Sequence, residues 1–356
     1  MHSSILWCLL TSRARLPIFW HSHMGSGGRN NLELTLAISD YDHVRDLTSG
    51  LIRPEGIELR SLDFRVEEIF FRFAASREWD LSEFSMAKYC SLVAAGESGL
   101  TAIPVFPSRV FRHSSFYVRR GGDIKAPADF AGRRVGVPEW AQTAGVYARA
   151  LITHEYGVAL KDIEWVQAGV NEPGRQEQAK LRLPEGVELR VEPARSLTEM
   201  LLAGDIDVII TAHPPDAYSG PGGPVVRLFE DYEPLEADYY ARTGIFPIMH
   251  TVAIRRDVYE QHRWMAMNML KAFEQSKQRS VSRLREITAS RFPLPWSPVR
   301  AAEAEELMGE PWPYGIEKNA TTLDAFLGYC FEQGVCIRRL KTEELFAPEV
   351  TQEFRV

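Results

Sequence analysis

Several short polar stretches combine cations, acids and imidazoles in a way that could hold an anion and move a proton. The densest is residues 107–113, which carries Arg109, Arg112 and His113. A guanidinium presents parallel N–H donors that match both oxygens of a carboxylate. An imidazole exchanges its proton near neutral pH. The same stretch also reads as a solvated basic loop with one structural histidine. Asp40, Asp42 and Arg45 surround His43 in a second stretch. Its acids could bind ligand hydroxyls or cap the helix that follows, and Arg45 could be a surface charge. Glu83 and Ser85 form a third group, with Glu83 either a general acid or base or part of a charged turn. In a fourth, Thr143 could seat a carboxylate at a helix start, and Trp140 could stack on a ring or simply pack, beside Glu139. His213 and His250 stand alone, a setting more often structural than catalytic. The proton-moving candidates are therefore His113, Glu83 and His250. The ligand-contact candidates are Asp40, Asp42, Arg45, Ser85, Arg109, Arg112, Glu139, Trp140, Thr143 and His213.

These groups are far apart in sequence, so a fold must gather them. Residues 32–38 alternate apolar and polar, the mark of a strand. Further strands are expected at 57–62, 79–85, 102–106, 115–118, 134–137, 163–166, 187–191, 206–211 and 244–254, and helices at 66–76, 86–96, 146–156 and 197–203. Residues 214–224, rich in Pro and Gly, break regular structure. From Asp257 onward the pattern is helical. Strands alternating with helices imply mostly parallel sheets, and such sheets bind ligands beyond the carboxyl ends of their strands. Residues 39–45, 83–88 and 107–113 all follow strand ends, so one crevice can collect them.

With 356 residues, 45% of them hydrophobic, the chain has material for two domains. Its net charge of -7, with scattered basic residues, excludes a nucleic-acid footprint. An anionic ligand must then be held by local Arg and His. The four cysteines, Cys8, Cys90, Cys330 and Cys336, show neither CxxC nor metal-finger spacing, a usage that fits a reducing compartment. The apolar run at residues 5–10 is short and is followed, not preceded, by Arg13 and Arg15. That is the reverse of a secretory signal, and no run approaches a membrane span. Residues 1–30 are expected to be a disordered leader, with Met24 nearer the true start and residues 1–23 dispensable. The expected location is the cytoplasm.

Several segments together resemble one family. They are Ile38-Ser39-Asp40-Tyr41-Asp42, Glu83-Phe84-Ser85-Met86-Ala87-Lys88-Tyr89 and Ile103-Pro104-Val105-Phe106-Pro107-Ser108-Arg109 with Phe111-Arg112-His113. Gly136-Val137-Pro138-Glu139-Trp140 and Asn171-Glu172-Pro173-Gly174-Arg175 complete the set. Over about residues 32–345 the chain resembles the 4,5-dihydroxyphthalate decarboxylases, a branch of the type 2 periplasmic-binding-protein superfamily. The resemblance implies a two-lobed α/β fold with two crossovers and a helical C-terminal segment. Lobe I would comprise residues 31–117 and 246–356, and lobe II residues 118–245. It also implies loss of one carboxylate from 4,5-dihydroxyphthalate, giving 3,4-dihydroxybenzoate, without an organic cofactor. No GxGxxG follows a strand, and neither GxxxxGK[ST] nor HExxH occurs. A divalent metal on His113, His213 and His250 has no support from spacing. The expected partner is a small aromatic carboxylate, with no nucleic acid or membrane; a homo-oligomer is compatible with the sequence. Two alternatives stay open: a non-enzymatic solute-binding protein of an importer, which would share the fold, and a decarboxylase of another hydroxylated aromatic acid.

Overall fold

A computed structural model describes residues 31–351 of the chain. The expected leader lies outside the described residues, as does Cys8. Eleven strands are present among the described residues: β1 Leu32–Ala37, β2 Ile57–Leu62, β3 Leu81–Ser85, β4 Leu100–Ile103, β5 Phe116–Arg119, β6 Arg134–Val137, β7 Glu164–Gln167, β8 Leu189–Val191, β9 Val208–Ile210, β10 Val225–Arg227 and β11 His250–Arg255. They form two sheets, ordered β2-β1-β3-β11-β4 and β10-β5-β9-β6-β7-β8. The first sheet thus takes strands from both ends of the chain, and the chain passes between sheets after β4 and again before β11. This is the two-lobed α/β arrangement with two crossovers.

Both sheets are mixed. β1 runs parallel to β2 and β3, whereas β11 is antiparallel to both β3 and β4. In the second sheet β6, β7, β8 and β9 are parallel, and β5 is antiparallel to both of its neighbours, β9 and β10. Every residue of β3 is buried, as expected for a central strand covered on both faces. Phe116 and Tyr117, expected at the edge of lobe I, belong to β5 and pair with Ile210 and Ile209 of the second sheet.

Gly136 shows how closely the layers of the second lobe approach. A Cβ there would lie 2.6 Å from Leu197 Cδ2 and 2.9 Å from Ile206 Cδ1. The absent side chain lets the helix Leu197–Ala203 pack directly on β6, and β6 runs into Glu139.

Three local expectations need correction. Residues 244–249 are not strand. A helix, Glu233–Thr243, ends at Gly244, which takes the left-handed conformation at φ 65, a backbone region glycine enters without strain. Early proline, acids in the first turn and this terminal glycine were the available signals. Neither Asp40 nor Asp42 caps a helix: Tyr41 is the N-cap of Asp42–Thr48, without a side-chain cap bond. Finally, the helix of residues 146–156 begins earlier, at Thr143, and its last turn widens into a π-helix at Leu151–Glu155.

One C-terminal helix bridges the two lobes. Ala320–Glu332 packs against both Met86–Ala94 and Thr143–Ala150. Just beyond it, the Gln333 side chain accepts a hydrogen bond from Arg149 Nε at 2.9 Å and donates to the Val146 carbonyl at 2.9 Å. Its backbone carbonyl accepts from Trp140 Nε1 at 2.7 Å.

Candidate active site

A cleft of about 1260 Å³ lies between the lobes. Its inner wall is built where β3 and β11 pair. His250 is opposite Ser85 and Val252 opposite Glu83, so Glu83, Ser85 and His250 point to the same face. Glu83 is fully buried. Its Oε1 accepts from Tyr41 Oη at 2.6 Å and lies 2.6 Å from His250 Nδ1, and its Oε2 accepts from the Ser39 amide at 3.0 Å. A carboxylate only accepts, so Nδ1 carries the hydrogen and Nε2 is left for the cleft that His250 lines. The Phe70 ring meets the imidazole edge-on at 4.8 Å between centroids. The Tyr41 hydroxyl is pushed far above the usual phenol pKa, first by burial and then by the adjacent Glu83 charge, so it acts as a neutral donor.

Arg112 lines the same cleft yet is almost wholly buried. Its hydrogen bonds go to a thioether: Nε lies 3.1 Å from Met249 Sδ, and a terminal nitrogen reaches the same sulfur. Burial lowers its pKa to about 10, so it remains a cation at neutral pH. A buried cation without a carboxylate costs several kcal/mol. The arrangement suits an incoming anion. Glu236, the acid that acts on Arg112 electrostatically, is itself pushed up to about 7 by burial.

A second cationic group bridges the lobes. Glu139, buried at the end of β6, accepts from Arg175 Nε at 2.6 Å and from Lys88 Nζ at 2.8 Å. Nearby, Ser85 Oγ and Thr143 Oγ1 are 3.0 Å apart, and the Ala87 amide donates to Thr143 Oγ1 at 3.0 Å. At the mouth, His213 Nε2 from the second lobe pairs with Glu67 of the first at 2.8 Å. The hydrogen bond to His213 is the main cause that lowers Glu67 to about 2, and the reciprocal bond raises the His213 pKa.

Of the residues singled out from sequence, the cleft wall thus includes Ser85, Arg112, Glu139, Thr143, His213 and His250, with Glu83 directly behind His250. The others lie elsewhere, for identifiable reasons. Arg109 forms an isolated antiparallel bridge with Ile248, and about that bridge alternate side chains face opposite ways. Ser108, Val110 and Arg112 line the cleft. Arg109 faces away, bonded to Asn319 and lying over the rings of Phe106 and Phe246. His113 faces away too, packed between Phe229 and Tyr239. Burial pushes His113 down to about 4 while it pushes Glu236 up, so their 3.8 Å approach is not an ion pair at neutral pH. Asp40, Asp42 and Arg45 form an outward ionic cluster, and Asp42 ties on to Ser280 and Arg283. Trp140 is core: its ring meets Trp165 edge-on at 5.1 Å, and Arg149 lies over it. His213 and His250 bond to different acids, Glu67 and Glu83, and His113 bonds to neither; among the described residues no group of three or more His, Cys, Asp or Glu could hold a metal ion.

Comparison with known proteins decides the family. A 4,5-dihydroxyphthalate decarboxylase from Comamonas testosteroni is 40% identical over 329 residues, covering 92% of this chain and 100% of that protein. One from Pseudomonas putida is 35% identical over 212 residues, covering 59% of this chain and 82% of its own. The chain belongs to the 4,5-dihydroxyphthalate decarboxylase family. No protein-family model matches it. Among solved structures, the periplasmic aliphatic sulphonate binding protein SsuA from Escherichia coli superposes with a TM-score of 0.52 at 15% identity, covering 90% of this chain and 99% of that one. That likeness shows the shared two-lobed fold. For this decarboxylase-family chain, sequence reasoning missed Tyr41, Phe70, Lys88 and Arg175. Three of them, Tyr41, Lys88 and Arg175, sit inside the segments that carried the family resemblance.

Proposed function

We propose that the protein removes one carboxylate from 4,5-dihydroxyphthalate, releasing CO2 and 3,4-dihydroxybenzoate, in the cleft between its lobes. Membership of the family supports the reaction. The observation that carries the site assignment is a buried guanidinium, Arg112, lacking a carboxylate partner among the described residues, in the same cleft as a histidine backed by a buried carboxylate.

Arg112 holds the carboxylate that is retained. The departing carboxylate is kept by the His250 face, away from Arg112 and Arg175, because stabilising it in the ground state would slow its loss. The hydroxyl para to the departing group feeds electron density into the ring. Protonated His250 delivers the Nε2 proton to the ring carbon bearing that carboxylate. The bond from that carbon to the carboxylate then breaks, its electron pair restores aromaticity, and CO2 leaves. Solvent returns a proton to His250. Glu83 holds the ring orientation and offsets the imidazolium charge, while Tyr41 and the Ser39 amide hold Glu83. Ser85, Thr143 and Lys88 receive the hydroxyl edge. These steps rely on the chain's own side chains, and the cytoplasm, as a reducing compartment, suits the buried unpaired thiols of Cys90, Cys330 and Cys336. No helix among the described residues is long and apolar enough to cross a membrane.

The test is to incubate purified protein with 4,5-dihydroxyphthalate, with and without a chelator, and to quantify 3,4-dihydroxybenzoate and CO2. Equimolar release in both conditions is expected. Binding without turnover would favour a solute-binding role.

A further inference from the structure

We infer that the cleft contains, beyond the His250–Arg112 end, an apolar slot that accepts a second ring, so that aryl-extended aromatic 1,2-dicarboxylates are ligands as well as single-ring ones. This inference rests on the cleft being the aromatic-acid site. The volume is the first reason. About 1260 Å³ exceeds the roughly 300–1,000 Å³ of ordinary small-molecule pockets, although a benzenedicarboxylate is among the smaller ligands.

The shape is the second reason. Two helices run outward from the reacting end. On Val66–Ser76, Phe70 touches His250, and the wall continues through Phe71, Ala74 and Ala75. On the other side the wall runs from Ser85 through Lys88 and Leu92 to Ala95. At 1.5 Å per residue that stripe is ~15 Å long, about twice the span of one substituted ring. Beyond Lys88 it offers the apolar Leu92 and Ala95, with Ser91 beside them, opposite Phe71, Ala74 and Ala75. Phe71 is 70% exposed and turned to this space beside Ala74 and Ala75, and a contiguous exposed apolar face on a cleft wall marks a binding surface. The far end is spanned by Lys180 of the second lobe, paired with Glu97 of the first at 2.8 Å, so closure bounds the slot without filling it. With its two carboxylates at Arg112 and His250, a ligand presents its opposite edge to this slot.

The test is calorimetric binding of phthalate and 4-phenylphthalate, neither of which carries the hydroxyls needed for turnover, to wild-type protein and to Ala74→Trp. Ala74 is exposed on its helix, so the variant should fold, and its phthalate affinity serves as the internal control. Wild-type protein should bind 4-phenylphthalate about tenfold more tightly, the lower end of what an added apolar group gains in a fitted pocket. Ala74→Trp should abolish that advantage and leave phthalate affinity unchanged. Equal or weaker binding of 4-phenylphthalate by wild-type protein overturns the slot while leaving the proposed function standing. An advantage that survives Ala74→Trp overturns its location between these helices. Failure of both acids to bind contradicts the slot and the proposed function together.

Discussion

His250 Nδ1 lies 2.6 Å from Glu83 Oε1, across the antiparallel pairing of a strand from the chain's C-terminal half with one from its N-terminal third. The two residues are 167 positions apart, and neither is informative alone. Glu83→Gln preserves shape and removes the charge that orients and supports the imidazole. It should lower kcat by about 10²–10⁴-fold, the range of general acid–base contributions, with little change in KM. Tyr41→Phe, which removes one of the three donors to Glu83, should lower kcat by a smaller factor. Steady-state kinetics on both variants, with circular dichroism to confirm folding, checks this; a fall confined to KM would mean Glu83 serves binding only.

Arg112 is held in the cleft at a cost to stability. Arg112→Met should weaken 4,5-dihydroxyphthalate binding by roughly 2–5 kcal/mol, the usual loss when a buried charge pair loses one partner. The same variant should melt at a higher temperature than the wild-type apo protein, since it removes an uncompensated buried cation. Arg112→Lys should recover only part of the affinity, because an ammonium cannot make the two-pronged contact. Calorimetry and thermal melts separate these effects.

Arg109 carries the opposite expectation. It donates to Asn319, which is buried, and stacks on two phenylalanines away from the cleft. Arg109→Ala should destabilise the fold by ~1–3 kcal/mol, the cost of leaving a buried partner unsatisfied. Affinity for 4,5-dihydroxyphthalate should stay near wild type. Denaturant unfolding together with binding measurements reads both.

The Glu67–His213 pair across the mouth makes closure depend on pH. His213 has a raised pKa in the closed form, so its contribution is complete below its ordinary value of 6.5 and is lost as pH rises through the raised one. Glu67 is lowered from 4.5 to about 2, so its contribution is complete above 4.5 and is lost as pH falls toward 2. The pair therefore acts fully between 4.5 and 6.5. Both side chains are more than half exposed, which limits the effect to under about 1 kcal/mol. KM should rise slightly above this window in wild-type protein, and His213→Gln should remove that rise.

Local periodicity made much of the fold legible. The strand Ile57–Leu62 and the helices Val66–Ser76 and Leu197–Ala203 have the bounds their patterns imply. The helix Glu233–Thr243 was missed because its apolar pattern is weak and it follows a Pro- and Gly-rich stretch. The site was legible in part. Glu83 and His250 both read as proton-moving groups, but their partnership depends on strand order, which no local pattern encodes. Arg109 and Arg112 look equivalent in sequence, and only the side to which each side chain turns separates them: Arg109 toward Asn319, Arg112 into the cleft. Trp140 is a residue type suited to stacking on a ligand, yet the C-terminal segment around Gln333 covers it, a contact between residues 193 positions apart.

The most direct measurement is the turnover of 4,5-dihydroxyphthalate by wild-type protein and by His250→Gln, with binding of phthalate measured on both. Wild-type protein should release CO2 and 3,4-dihydroxybenzoate in equal amounts. His250→Gln should bind phthalate with near-unchanged affinity and lose at least about 10²-fold in kcat. Turnover by His250→Gln at the wild-type rate, or no turnover by wild-type protein that binds phthalate, would contradict ring protonation by His250 in this cleft.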